Sequence, residues 1–417
     1  MHMQENSRYA VGIDIGTTTV RCVVGHIDAA TGIPTIVGVG KSPNSGMRKG
    51  TVVNLNGPAH AIDAALGEAE RMSGYEVNQA TISVNGSHII STKADGMIAV
   101  GMANHEINED DLMRIEEVAT TGKVPANREV LEVVPHSYTL DGQGNIKDPV
   151  GMNGTRLEIS ANVISAMAPY VVNLRKASEM ATVIPNGVVP SVLASAKAVL
   201  SESQIESGVA VIDMGGATTS VAVFEEGDLQ YVGVVPLGGS NVTNDLAIGL
   251  KTDPEIAEKV KVGHASAAPR KQTEGISIKH EKEVFTFDAS EIDEIVEARL
   301  EEIFEAVQKE LKKAGRAGQL PSGVVLTGGA SQMKGMTEFA KTQLGLAVRI
   351  GKSSGYGGVA DNIDKPEYAT AVGLMLIDAE GGHGKAAAHQ KAHGKAGAGV
   401  AKAASGFLSD FLGRFKA

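Results

Sequence analysis

The sequence predicts an α/β protein made of two similar halves closing on a phosphate-binding cleft, and three segments predict it. Residues 11–20, VGIDIGTTTV, run as a β-rich apolar stretch to Asp14, turn through Gly16, Thr17, Thr18 and Thr19, and enter a second apolar stretch. Residues 209–224, VAVIDMGGATTSVAVF, repeat that order: an apolar strand, Asp213, Gly215, Gly216, Ala217, Thr218 and Thr219, then another apolar strand. Residues 324–336, VVLTGGASQMKGM, carry a buried-type strand into Gly328 and Gly329 and on through Ala330 and Met333 toward a helix.

The chemistry of these turns points to phosphate. Backbone N–H groups in a tight turn form an anion-binding concavity, and glycine lets a phosphate approach the chain closely. A carboxylate repels phosphate but can hold the waters of a Mg²⁺ that binds it, the role suited to Asp14 and Asp213. A single Asp-x-Gly turn at a strand end is equally an ordinary turn. The repetition is what suggests two half-domains, each giving one loop to a shared site. The Gly328-Gly329 turn is a third close approach, suited to the flat, partly apolar surface of a nucleoside.

In this order the three segments resemble the phosphate-1, phosphate-2 and adenosine motifs of the actin, DnaK-type chaperone and sugar-kinase superfamily. The resemblance implies an actin-like fold, two duplicated RNase H-type half-domains around a nucleotide cleft, with ATP and Mg²⁺ as ligands.

At 417 residues the chain is long enough for two or three domains. Its composition, 42% apolar and 21% charged, is that of a soluble globular protein, and 4% aromatic residues argue against a stacking platform for nucleic acid. One cysteine, Cys22, gives no disulfide frame and fits a reducing cytosol. No signal peptide is read, and no apolar run approaches the ~20 residues that a spanning helix needs. Of 38 basic and 49 acidic side chains, six and one lie in residues 381–417, so that segment carries +5 and the rest −16. An acidic body does not suit DNA or an anionic membrane, whereas a basic tail suits either.

After the first hairpin, residues 34–39 read as a third strand and 46–54 as a Gly- and Lys-bearing loop with a short strand. Residues 58–72 read as a helix, with Pro58 in its first turn and Ile62, Ala65, Leu66 and Ala69 on one face. Actin places a sizeable subdomain between the third strand and this helix, and here the gap is short. Extra chain comes later instead. Residues 83–166 are strand-rich with one helix, 108–120, where Asn108 is a good N-cap and Glu109, Asp110 and Asp111 fill the first turn. That relocation resembles the FtsA family of actin-like bacterial division proteins, whose inserted subdomain lies on the opposite side from actin's.

Residues 167–184 and 190–200 read as helices on either side of a turn at Pro185-Asn186-Gly187. The second is similar to the superfamily's first connecting segment, and 366–377 to its second. Ala194, Ala371 and Gly373 would let two such helices cross closely and act as a hinge; ordinary well-packed helices use the same residues. Residues 238–250 open with Gly238 and Gly239 and become a helix, and 253–263 form another. In relatives an acid and a base there flank the ribose and adenine, which by resemblance makes Glu258 and Lys261 candidates, a solvated helix face being the other reading. Residues 290–314 form a long amphipathic helix, capped by Ser290 and ended near Gly315. Its core stripe is Ile292, Ile295, Val296, Ile303, Phe304, Val307 and Leu311, and Arg299 falls in its EARL sequence.

Residues 381–404 turn abruptly to Gly, Ala, Lys and three His, with almost nothing to bury, which predicts a flexible linker. In residues 405–417 a helix would gather Phe407, Leu408, Phe411, Leu412 and Phe415 on one stripe, with Arg414 and Lys416 on the other side. At ~16 Å it is about half a bilayer core long, so it would lie in the interface as an amphipathic membrane-targeting helix, a helix docked in a groove of its own protein or of a partner being the other reading. The divisions expected are a first core at 1–83 and 167–205, an inserted subdomain at 84–166, a second core at 206–240 and 320–380, a second insert at 241–319, then linker and helix.

Resemblance to FtsA implies an ATP-binding protein that self-associates into filaments, works with other division proteins, and sits peripherally on the cytoplasmic face of the bacterial inner membrane at the division site. It would tether the tubulin-like FtsZ ring there, gripping the FtsZ C-terminal tail in the second insert, where Arg299 is the candidate contact, a pair with acids of its own helix such as Glu302 or Asp293 being the other reading. No catalytic residue is assigned. DnaK-type relatives carry an acid just before the connecting-segment proline, and Val189 stands there, which predicts slow or absent hydrolysis. Two alternatives stay open: an actin-like scaffold of another envelope machine, such as PilM of type IV pili, and a sugar or carboxylate kinase, for which no acceptor base is evident.

Overall fold

In the computed structural model, which describes residues 8–101, 105–268, 275–281, 283–358 and 363–381, the first apolar hairpin lies at the centre of a five-stranded sheet. Strand β1 (Arg8–Ile15) pairs antiparallel with β2 (Thr19–Ile27), and β2 with β3 (Pro34–Pro43). A minimal hairpin, β4 (Met47–Arg48) and β5 (Thr51–Val52), leads into α1 (Asn56–Ser73), which buries Ile62, Ala65, Leu66 and Ala69. The chain returns as β6 (Gln79–Val84), parallel to β1.

A separate antiparallel sheet interrupts this core. Strands β7 (Ile90–Ala99), β8 (Arg128–Leu140), β9 (Gln143–Ile146) and β10 (Arg156–Met167) pair in the order β7-β10-β8-β9. Helix α2 (Glu109–Thr120) packs on this sheet through Ile115 and Ala119. Its start is a capping box: the Asn108 side chain accepts from the Asp110 and Asp111 N–H groups, and Asp111 accepts from the Asn108 N–H. Helix α3 (Ala168–Met180) and β11 (Ile184–Pro190) then complete the first sheet, β11-β6-β1-β2-β3, before α4 (Ser191–Val199) and α5 (Glu202–Ser207).

The second half repeats the plan. Strands β12 (Val209–Met214), β13 (Thr219–Glu225) and β14 (Asp228–Val235) form the same antiparallel trio. After α6 (Gly239–Gly249) come α7 (Pro254–His264), the hairpin β15 (Ile276–His280) and β16 (Glu283–Phe287), and the long α8 (Ala289–Lys313). Strand β17 (Val324–Thr327) lies parallel to β12; a 3₁₀ turn (Gly329–Gln332), α9 (Met336–Leu344) and β18 (Val348–Ile350) follow. The order β14-β13-β12-β17-β18 matches β3-β2-β1-β6-β11 strand for strand. All six residues of β12 are buried, as expected of a strand with layers on both faces. Helix α10 (Ala369–Gly381) packs against α4 and β1; Asp378 at its end accepts hydrogen bonds from the Val11 N–H (2.9 Å), Thr81 (2.7 Å) and Asn186 (3.0 Å).

The four-stranded sheet also touches the second half. Asn162, on β10, donates to the carbonyls of Leu229 (3.3 Å) and Gln230 (2.9 Å), and Lys147 pairs with the buried Asp228.

Two local expectations are corrected. The segment around Pro185-Asn186-Gly187 is not a turn but strand β11, paired with β6 through a bulge at Asn186. As an edge strand it tolerates proline, whose missing N–H costs no ladder bond there. The cap of α8 is Asp288, which accepts from the Ser290 N–H at 2.8 Å. The expected linker and terminal helix, with Phe407, Leu408, Phe411, Leu412, Arg414, Phe415 and Lys416, lie outside the described residues. Among the described residues no helix is long and apolar enough to cross a membrane.

Candidate functional site

The two hairpins end at one cavity of about 1480 Å³. The first loop brings Asp14, Gly16, Thr17 and Thr18 to its wall, and the second brings Asp213, Gly215, Gly216, Ala217 and Thr218. The turn after β17 adds Gly328, Gly329, Ala330 and Met333, and α6 and α7 add Gly239, Glu258 and Lys261. Of the candidate cofactor residues Gly238 alone is outside the lining: it sits beneath the second loop, where a Cβ would meet the Gly215 carbonyl at 2.6 Å.

Asp14 ends β1 and faces Arg21 across the β1–β2 ladder. Its Oδ1 accepts from Ser83 at 2.9 Å, while Ser83 Oγ accepts from the Ile15 N–H at 2.8 Å. Burial holds the Asp14 carboxyl above the ordinary carboxylate range, against the opposing pull of Arg21 and Ser83. Asp213 occupies the matching end of β12, and its Oδ2 accepts from Ser195 and Thr370, each at 3.3 Å. Burial first, and the charge of Asp14 second, push it up to about 6. The half-buried Asp14 and the buried Asp213, which both resist ionising alone, form a donor set that a divalent cation would stabilise in its charged form.

The loops fit close approach of a ligand backbone-first. A Cβ on Gly216 would lie 2.6 Å from Thr18 Oγ1, so the two loops abut with no room for a side chain. Gly328 has φ +82°, and a Cβ there would lie 2.5 Å from Asp213 Oδ1. The second loop is braced by the start of α6: Gly239 N–H donates to the Gly215 carbonyl (2.9 Å) and Ser240 N–H to that of Gly216 (2.6 Å). Further in, Lys261 donates to Glu258 (2.7 Å) and Thr243 (2.8 Å).

The cavity also holds residues that the motifs did not indicate. Arg21 pairs with Glu367 at 2.9 Å and stands over the Tyr368 ring, 5.5 Å from its centroid, with its Nε buried. The hairpin register, which sets residue 21 opposite residue 14, could have revealed it. Asn85 reaches the second loop from the end of β6, and no local pattern marks it. Arg299 has two readings in the sequence, an exposed contact for a partner and a pair with acids of its own helix such as Glu302, and the second is present. Its side chain is half-buried, and its guanidinium forks onto Asp245 of α6 as well as pairing with Glu302. The acid that claims it comes from another helix, which sequence spacing on α8 could not show.

Comparison with known proteins bears on this arrangement. Residues 210–373 match the family model described as cell division protein FtsA, and residues 86–165 match the SHS2 domain inserted in FtsA. The chain is 34% identical to a cell division protein FtsA of Pseudomonas aeruginosa over 376 residues, 89% of each chain. It is 37% identical to that of Bacillus subtilis over 377 residues, covering 89% of this chain and 84% of the relative. Among solved structures, a PilM–PilN type IV pilus biogenesis complex superposes with TM-score 0.63 at 17% identity over 89% of this chain and 98% of that one. MreB5 of Spiroplasma citri bound to ADP gives 0.50 at 12% identity, over 94% and 100%. These two show that the fold is actin-like.

Proposed function

The chain belongs to the FtsA family of cell division proteins, and from that membership we propose that it binds Mg-ATP between its two cores and links the FtsZ ring to the inner membrane. The observation that carries the ATP part is the convergence of two equivalent hairpin ends, Asp14 with Gly16-Thr17-Thr18 and Asp213 with Gly215-Gly216-Ala217-Thr218, on one cavity. The loops' N–H groups and hydroxyls would receive the phosphates, and Asp14 and Asp213 would hold Mg²⁺ through water. The ion would supply charge neutralisation at the phosphate oxygens. Gly328, Gly329, Ala330 and Met333 would face the nucleoside, and Gly238 and Gly239 would shape the second loop. The Thr243–Glu258–Lys261 cluster would offer hydrogen bonds to ribose and base.

Membrane attachment is proposed for residues 405–417, on the apolar stripe of Phe407, Leu408, Phe411, Leu412 and Phe415 with Arg414 and Lys416 beside it. Self-association, other division partners, a site on the cytoplasmic face of the inner membrane, and a grip on the FtsZ tail in the second insert are proposed from family membership. Arg299 can serve that grip only by exchanging Asp245 for the tail's carboxylate. The PilM-like alternative is supported by fold alone.

Calorimetric titration with Mg-ATP tests the central claim. The unaltered protein binds, and an Asp213→Ala, Gly215→Val variant with native circular dichroism does not. Equal affinity in the two would remove the nucleotide from this cavity.

A further inference from the structure

We propose that Asn85 is a positioning residue of the phosphate site, which turns the hydroxyl of Thr218 into a hydrogen-bond donor aimed at the cavity. The inference rests on the nucleotide reading given above. Asn85 stands just beyond β6, where the chain leaves the first core for the four-stranded sheet, and it lines the cavity. Its side chain crosses to the other half. Nδ2 donates to Thr218 Oγ1 at 3.0 Å, and Oδ1 accepts from Ser220 Oγ at 3.0 Å and from the Gly86 N–H at 2.7 Å.

The Gly86 N–H can only donate, so it decides which way the amide points. The oxygen must face Gly86, and the NH₂ group must then face Thr218. A hydroxyl has one proton to give and two lone pairs to receive with. With Asn85 donating to one lone pair, the Thr218 proton has to point elsewhere. Asn85 is the hydrogen-bond partner of Thr218 Oγ1 among the described residues, which leaves that proton for the cavity. Phosphate oxygens are acceptors only, so a hydroxyl whose proton is turned away from Asn85 can donate to them. Asn85 is itself anchored: its carbonyl pairs with His88 Nε2 at 3.0 Å, and Arg128 of β8 donates to the His88 carbonyl and to Ser165 of β10. The nucleoside end of the cavity, at Gly328 and Met333, receives none of these bonds.

The test titrates the full-length protein with fluorophore-labelled ATP plus Mg²⁺ and with adenosine carrying the same label. Asn85→Ala, which frees the Thr218 hydroxyl to rotate without removing it, should weaken ATP by a few-fold and at most about tenfold, the worth of one hydrogen bond to a charged group, and leave adenosine unchanged. Thr218→Val should lose at least as much without touching Asn85, and Thr218→Ser should keep wild-type affinity. In the Thr218→Val background Asn85→Ala should have no further effect, because the hydroxyl it orients is gone. Multiplying losses in the double variant, or an equal loss for adenosine, would make Asn85 a structural residue and overturn the proposal. If the unaltered protein binds ATP and Asn85→Ala binds it equally well, this inference alone falls. If the unaltered protein binds neither probe, the nucleotide reading falls and takes the inference with it.

Discussion

Gly373 of α10 and Ala194 of α4 meet backbone to backbone: a Cβ on Gly373 would stand 1.8 Å from the Ala194 carbonyl oxygen. These are the two helices that run between the halves, and Lys197 of α4 also pairs with Glu380 of α10 at 2.7 Å. The atom in the way is backbone and cannot rotate aside. Gly373→Ala should therefore cost about 3 kcal/mol or more, the upper end of overpacking. Thermal melting reads it; an unchanged midpoint would mean that the helices can part freely.

The two hairpins and the α2 cap are legible in the sequence because each rests on contacts within a few residues or on a repeated pattern, whereas the small residues of this crossing, far apart in the chain, are legible only through the resemblance to the superfamily's connecting segments. Position 185–187 was misread because Pro and Asn carry turn chemistry locally, and only the pairing with β6 shows that the segment lies at a sheet edge where both are tolerated. The contacts of Asn85 with Thr218 and of Arg299 with Asp245 join residues 133 and 54 positions apart. No periodicity encodes such pairs. The cavity motifs could be read; the side chains that orient them came only with the packing.

Arg299 gives a sharp test of the FtsZ-tail site. Its fork onto Asp245 occupies the donors that an acidic tail would use. Asp245→Asn should free them and raise tail-peptide affinity by about threefold, the scale of a partly exposed ion pair. Arg299→Glu should weaken it. If both variants bind the peptide as the wild type does, the tail binds elsewhere.

Hydrolysis should be slow. Val189, which the resemblance to DnaK-type proteins would set at the place of their water-positioning acid, is buried and can neither accept a proton nor orient water. Phosphate release should fall well below the ~1–100 per second of kinases. A rate within that range would require a base elsewhere in the cavity.

Membrane binding should depend on the last residues. Flotation with anionic liposomes should carry the full chain upward and leave a form ending at Glu380 in solution, and Phe411→Glu should release the full chain. Each large apolar side chain contributes roughly 1.5–3 kcal/mol at most, less the ordering of a short helix. One copy should therefore bind reversibly, and assemblies more tightly. Equal flotation of the truncated form would place the anchor in residues 1–380.

The four-stranded sheet should carry its own pH dependence. Glu116 lies on α2 two turns after Glu109, and burial first, then the Glu109 charge, push its carboxyl up to about 7 from an ordinary 4.5. Because the folded state holds this proton more tightly than the unfolded chain, its contribution is fully present below pH 4.5. It is lost as the pH rises through about 7. Glu116→Gln keeps the shape and removes the charge. Its stability should match wild type near pH 4.5 and exceed it at pH 8 by about 1–3 kcal/mol, the upper figure being the whole shift and the lower allowing for solvent screening. Both proteins share every other titrating group, so the difference between their melting curves from pH 4.5 to 8 isolates this one. A constant difference across that range would show that Glu116 ionises as freely in the fold as in the open chain.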